Sequence, residues 1–212
     1  HIISKSKNSC FINSDLRQVY HKSKLVAGVE NLPYKKILEP ILGNLLLDFG
    51  GTISSRATQE NRAVFITKLN NKVAPIICYE SMYGEYVTHY VRNGAQFLAI
   101  LTNDGWWKDT PGYKQHFSFA RLRAIENRKW LIRSANTGKS GVISPTGGIV
   151  KETEWWIPDV ISAKVHLLNQ DTNYTKYGDF LGRSSAFLAV FIFIFALSKI
   201  IKPNSIEKSN RS

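Results

Sequence analysis

The sequence predicts a mixed α/β layered domain followed by one membrane-spanning helix, and three observations predict it. Strand-like and helix-like stretches alternate between residues 64 and 144. The run Val73–Ile77 is apolar without alternation, as in a central strand covered on both faces. Near the end, Ala186–Leu197 reads AFLAVFIFIFAL, twelve apolar residues without a charge.

In chain order, strand signals fall on Cys10–Asn13, Gln18–His21, Val64–Thr67, Val73–Cys78, Phe97–Leu101, Leu131–Ser134, Gly141–Ser144 and Val160–Val165. Two stretches predict helices. Ser81–Asn93 follows a strand and stops before Gly94, a residue suited to ending a helix. Pro111–Arg128 begins with a proline fit for the first turn and carries Tyr113, Phe117, Ala120, Ala124 and Ile125 at helical spacing.

Extending the apolar run outward gives a third helix over 180–201, about 30 Å long at 1.5 Å per residue, enough for a hydrocarbon core. Arg183 and Lys199 stand where basic side chains snorkel to the two interfaces. The tail 202–212 holds Lys202, Lys208 and Arg211 against Glu207, so the positive-inside rule puts it in the cytoplasm and the domain of residues 1–179 outside. A buried core helix or strand is the competing reading, because a strict run of twelve is short for a span.

Composition narrows the partners. The 212 residues are 43% hydrophobic and 21% charged, ordinary globular usage that excludes wholesale disorder. The net charge of +12 attracts either nucleic acid or an anionic membrane surface. The positives are scattered in ones and twos, and no nucleic-acid recognition motif accompanies them, so no nucleic-acid partner is expected. Two cysteines, Cys10 and Cys78, exclude a disulfide framework; one bridge between them is chemically possible, but Cys78 has a better use. His21, His89 and His116 form no metal-ligand spacing and are read as structural.

Cys78 closes the Val73–Ile77 strand where a helix begins. A thiol there lies near backbone N–H groups and the positive end of a helix dipole, both of which favour the thiolate. A lone cysteine is a weak signal; its company is stronger. Tyr20-His21-Lys22-Ser23-Lys24-Leu25-Val26 with Gly28 and Glu30 resembles the lysine motif of carbon–nitrogen hydrolases, the nitrilase superfamily. Cys78-Tyr79-Glu80 resembles its nucleophile motif, and Asn103-Asp104-Gly105-Trp106-Trp107 its next loop. Gln115-His116, Arg121–Glu126, Arg133–Gly138 and Ser144–Gly148 follow in the superfamily's order.

Leu25-Val26-x-Gly28-x-Glu30, and a membrane helix after Tyr177–Phe180, resemble the apolipoprotein N-acyltransferase branch in particular. The resemblance implies an αββα layered sandwich whose N-terminal part is missing here. It implies a Glu–Lys–Cys triad, no cofactor and no metal. Cys78 would take an acyl chain from a membrane phospholipid as a thioester, and the N-terminal amine of a diacylglyceryl-cysteine apolipoprotein would accept it. The site would lie on the periplasmic face of the bacterial inner membrane. Lys22, beside the cysteine, would stabilise the oxyanion; Lys24, two positions on along a strand, competes for that role. Glu30, Tyr79, Glu80, Asn103 and Trp106 are the supporting or substrate-binding candidates. Glu80 is otherwise a buried salt-bridge partner, and Trp106 and Trp107 line the acyl route, sit at the bilayer interface or pack in the core.

Two departures stand out. Ala27 replaces a frequent proline, and residues 1–21 hold Asp15 but no glutamate, whereas the triad's glutamate is expected upstream of Lys22. These residues are therefore expected to be a C-terminal piece, inactive alone. The alternatives are a nitrilase-type amidase with the same Cys78 and Lys22, with water as acceptor, and an inactive remnant that keeps the fold.

Overall fold

A computed structural model describes residues 2–6, 9–12, 18–26, 30 and 58–201. Asp15, Ala27, the end of the first expected strand at Asn13 and the basic tail 202–212 lie outside the described residues. The chain divides after Gly178 into a sheet-and-helix unit and a unit carrying the C-terminal helix.

The first unit contains two sheets. β1 (Ile2–Ser6), β2 (Ser9–Ile12) and β3 (Gln18–His21) form an antiparallel three-stranded sheet. The second sheet has six strands in sequence order: β4 (Phe65–Ile66), β5 (Lys72–Ile77), β6 (Phe97–Thr102), β7 (Leu131–Ala135), β8 (Gly141–Ile143) and β9 (Ile149–Glu152). Only β5–β6 and β6–β7 are parallel, and parallel neighbours need long crossovers. Those crossovers are α1 (Gly84–Arg92) and α2 (Pro111–Asn127), each preceded by a 3₁₀ turn, Cys78–Met82 and Asp104–Trp107. The expected α/β layering is therefore present. Both 3₁₀ turns stand at the carboxyl ends of adjacent parallel strands, where open α/β sheets tend to bind ligands.

The core explains the order. Val73 through Ile77 are all buried, so β5 is covered on both faces as its unbroken apolar run implies. Leu98, Ile100, Leu131 and Ile143 from its neighbours join Tyr86, Val87 and Tyr90 of α1 and Phe117, Ala120 and Ala124 of α2. Each such aliphatic side chain contributes about 1.5–3 kcal/mol by leaving water. Tyr20 of β3 enters the same core, and the Gln18 amide bonds both the N–H and the carbonyl of Ile66, joining the two sheets at their edges.

The buried stripe of α2 runs Tyr113, His116, Phe117, Ala120, Arg123, Ala124 and Asn127. Thr110 caps its start through the Gly112 N–H, and Arg128 ends it in the left-handed region. Ile125, expected on this stripe, is exposed instead.

Three further expectations need correction. Val160–Val165 has strand-like alternation but runs as irregular chain: Val160 is 91% exposed, and β propensity without a ladder partner does not make a strand. The first helix starts at Gly84 rather than Ser81, because residues 78–82 are wound into the tighter turn. β3 ends at His21, so Lys22 and Lys24 share no strand face. β1, β9 and the short α3 (Asn173–Tyr177) carried no expectation.

The second unit is α4 (Phe180–Ile201), 22 residues long, whose first turn is capped by the Asp179 carboxylate through the Gly182 N–H. Phe180–Ile200 has a mean hydropathy of 2.1 over its most apolar window, and its apolar side chains are exposed. At 1.5 Å per residue the helix is about 33 Å long, sufficient in length and composition to cross a bilayer.

Candidate active site

Cys78 is the first residue of the 3₁₀ turn after β5 and has φ +48°, the left-handed region that a residue with a Cβ occupies at a cost of about 1–2 kcal/mol. Such strain persists where the surroundings over-determine it, and it directs the side chain off the strand end. The thiol is free and half-buried.

Glu80 holds the turn from one side. Its carboxylate is completely buried, and no lysine or arginine is paired with it among the described residues. It accepts instead from neutral donors. Oε2 takes the N–H of Ile77, one residue before the cysteine, and the Tyr90 hydroxyl at 3.4 Å. Oε1 takes the N–H of Ser23 at 2.7 Å, the Tyr20 hydroxyl at 2.8 Å and the Tyr86 hydroxyl at 2.9 Å. One carboxylate thus bonds the residue preceding Cys78 and the residue following Lys22. Burial, reinforced by the charge of Glu80, pushes the Tyr20, Tyr86 and Tyr90 hydroxyls above the usual phenol range. They stay protonated and able to donate.

Lys22 is 1% exposed, and its ammonium donates to Glu30 Oε2 at 2.6 Å; the same oxygen accepts the Val26 N–H. A buried ammonium needs such a partner. Lys24 lies elsewhere, its ammonium 5.4 Å and 5.7 Å from the Tyr83 and Tyr86 ring centres. Of the two lysines, only Lys22 has an acid partner among the described residues. The competing reading of Glu80 as a salt-bridge partner is not met among the described residues; Glu30 makes the ion pair.

A second cluster holds the turn from the other side. Asp104, at the end of β6, is completely buried and accepts from Arg133 Nη2 at 2.7 Å through Oδ2. Its Oδ1 accepts from Thr102 and lies 2.9 Å from His116 Nδ1. Burial alone would raise the Asp104 carboxyl, but the His116 hydrogen bond and the Arg133 charge outweigh it and hold the group below the usual carboxylate range. The space Asp104 fills exists only because residue 138 is glycine; a Cβ there would collide with the carboxylate. His116 Nε2 in turn lies 3.0 Å from the Ser81 hydroxyl and 3.3 Å from the Cys78 carbonyl oxygen, to which Ser81 donates at 2.7 Å.

The remaining candidates are more peripheral. Tyr79 packs edge-on against Tyr83 at 5.4 Å, and the Asn103 side chain caps its own turn by accepting the Gly105 N–H. Trp106 and Trp107 are 47% and 39% exposed, which removes the core-packing reading for both. The residues given no site role from sequence are Tyr86, Tyr90, Asp104 and Arg133, together with His116, read from sequence as structural. Two signals mark them: tyrosines four apart on the helix after Glu80, and a histidine on the buried stripe of α2.

The arrangement combines a half-buried cysteine on a constrained turn with a buried lysine–glutamate pair linked to that turn through Glu80.

Residues 5–170 match the carbon-nitrogen hydrolase family. An apolipoprotein N-acyltransferase of Chlorobaculum tepidum is 38% identical over 165 residues, covering 76% of this chain and 31% of the relative. One from Wigglesworthia glossinidia brevipalpis is 32% identical over 178 residues, 84% of this chain and 35% of the relative. The chain thus spans about a third of the length of these curated relatives. Among solved structures, an amidase from Nesterenkonia sp. superimposes with a TM-score of 0.52 at 16% identity, covering 83% of this chain and 60% of that one. By the length of the family match and the order of its motifs, the chain belongs to the carbon–nitrogen hydrolase family.

Proposed function

We propose that this chain carries the nucleophile and oxyanion-stabilising part of an apolipoprotein N-acyltransferase, anchored by α4 in a bacterial inner membrane with its catalytic unit on the periplasmic face. The observation that carries the reading is the union, in one chain, of a cysteine on a strained turn with an apolar helix of membrane length. An enzyme hydrolysing a soluble amide has no need of that helix. One drawing acyl chains from a bilayer does.

The Cys78 thiolate attacks the ester carbonyl of a phospholipid; a C–S bond forms, and the tetrahedral intermediate collapses with loss of a lysophospholipid. The α-amine of a diacylglyceryl-cysteine apolipoprotein then attacks the thioester, forms the amide and returns the thiolate. Lys22 is the cation for both oxyanions, and Glu30, its partner at 2.6 Å, holds it in place. Glu80 fixes the geometry between the two segments. Tyr79, Asn103 and Trp106 shape the acyl pocket and the loops over it. The general base of this scheme is a glutamate upstream of Lys22, a residue type that residues 1–21 do not contain.

The test uses the full-length protein in detergent with a phospholipid bearing a labelled acyl chain and a diacylglyceryl-cysteine peptide. The expected outcome is label in amide linkage on the peptide amine. Label released only as free fatty acid, with the peptide unmodified, would show a hydrolase instead.

A further inference from the structure

The cluster of Asp104, His116 and Arg133 is buried, charged and left over from the chemistry above. Asp104 and Arg133 are 0% exposed at their side chains and His116 is 3% exposed. Burying three ionisable groups is costly unless their geometry serves something, because each must give up its hydration. Of the three, His116 reaches the Cys78 turn, its Nε2 3.0 Å from the Ser81 hydroxyl and 3.3 Å from the carbonyl oxygen of the residue proposed as nucleophile.

The hydrogen accounting sets the orientation of the ring. Nδ1 has two neighbours, Asp104 Oδ1 at 2.9 Å and Arg133 Nη2 at 3.2 Å; Asp104, its carboxyl held below the usual range, only accepts, so the shorter contact has a proton on Nδ1 donated to Oδ1 and Arg133 Nη2 is committed to Asp104 Oδ2. Arg133 neutralises the far oxygen of Asp104, donates through its other nitrogen to the Lys139 carbonyl, and lays its guanidinium over the Phe117 ring at 5.5 Å. The aspartate is therefore immobilised before it meets the histidine. With Nδ1 so fixed, Nε2 lies 3.0 Å from Ser81 Oγ and 3.3 Å from the Cys78 carbonyl oxygen; that oxygen accepts the Ser81 hydroxyl and accepts from Nε2 when that nitrogen also carries a proton. The Trp107 ring lies over His116 at 6.4 Å. The charged groups facing the imidazole are thus Asp104 from the turn after β6 and Arg133 from β7, with the Cys78 carbonyl from the turn after β5.

We propose that His116 is a positioning residue for Cys78: oriented by Asp104 and Arg133, it acts with Ser81 on the Cys78 carbonyl and thereby fixes the left-handed backbone that presents the thiol. The inference rests on Cys78 being the nucleophile. Glu80 ties the turn through the N–H of Ile77, before the cysteine; Ser81 and His116 tie it through the carbonyl after the Cys78 Cα. A residue at φ +48° anchored on both sides has little freedom to relax into the extended region. Losing the carbonyl anchor frees the thiol to rotate out of line while the core, built from other residues, stays folded.

Glutamine and asparagine at position 116 divide the ring's two functions. His116→Gln has the reach to place its amide near Ser81 and the Cys78 carbonyl; His116→Asn reaches Asp104 but stops short of the turn. In the full-length protein in detergent, Cys78 alkylation by iodoacetamide and thioester formation from phospholipid are each followed by mass, beside the melting midpoint. Loss of one hydrogen bond to the turn corresponds to about 10-fold in rate. His116→Asn is expected to slow both reactions by about that factor, and His116→Gln to stay within about 3-fold of wild type at a similar midpoint. Ser81→Ala, which keeps the histidine but loses the hydroxyl bridge, is expected to slow alkylation in the same direction. Wild-type alkylation in both His116 variants, or equal slowing in both that merely tracks a lowered midpoint, would overturn the proposal. Alkylation needs no acyl donor, so the two readings fail separately. A wild type that forms no thioester contradicts the acyltransferase, whereas variants that alkylate like wild type contradict the role of His116.

Discussion

Glu80 and Asp104 are both completely buried carboxylates, and both bear on the turn that carries Cys78, yet they are accommodated by opposite means. Glu80 has tyrosine hydroxyls and main-chain N–H groups around it. Asp104 has a guanidinium and an imidazole. Neutral donors spread the charge of Glu80 over three segments, which suits a group that must join β3, the β5 turn and α1. The ion pair concentrates the charge of Asp104 on a guanidinium and an imidazole, with the Thr102 hydroxyl beside them, which suits a group that must set the angle of one ring. A buried carboxylate therefore reads differently according to its donors: a neutral cradle ties segments together, and an ionic one orients a neighbour.

Substitutions separate the two arrangements. Asp104→Ala leaves Arg133 buried without its partner and is expected to cost about 3–5 kcal/mol, a large fall in the melting midpoint. Glu80→Gln keeps the volume but sets an amide N–H₂ against donors, for an expected loss of about 1–3 kcal/mol. If the order were reversed, the neutral cradle rather than the ion pair would be the more demanding arrangement. Tyr90→Phe removes the longest of the Glu80 contacts, 3.4 Å, and is expected to cost no more than about 1 kcal/mol in thermal unfolding.

Titration gives the gentlest contrast, and the signs oppose each other. The Asp104 carboxyl lies lower in the folded chain than in the unfolded one. Its contribution is complete above about pH 4 and is lost as pH falls through the folded value. Tyr20, Tyr86 and Tyr90 lie higher in the folded chain. Their contribution is complete below about pH 10 and is lost above it, as the unfolded chain ionises first. Unfolding midpoints followed across both limits are expected to lose acid sensitivity in Asp104→Asn, and alkaline sensitivity in a variant with all three tyrosines changed to phenylalanine.

The same contrast shows what a sequence can reveal. Cys78, Lys22, Glu30 and Glu80 were legible because they sit in short motifs, and β5 and α2 because their apolar patterns are unbroken. The partners of Glu80 were not, since Tyr20 and Tyr86 meet it across 60 and 6 positions through tertiary packing. Asp104, His116 and Arg133 come from a turn, a helix and a strand, and nothing local announces that their side chains converge. Val160–Val165 failed for the complementary reason: its alternation is local, whereas a strand requires a neighbour to pair with.

The most direct measurement is the intact mass of the full-length protein after incubation with phospholipid, with and without hydroxylamine, beside Cys78→Ala. An acyl-sized increment that hydroxylamine removes and that the variant never acquires is the predicted result. A folded wild type that acquires no increment, or a variant that acquires the same one, would contradict Cys78 as the carrier of the acyl group.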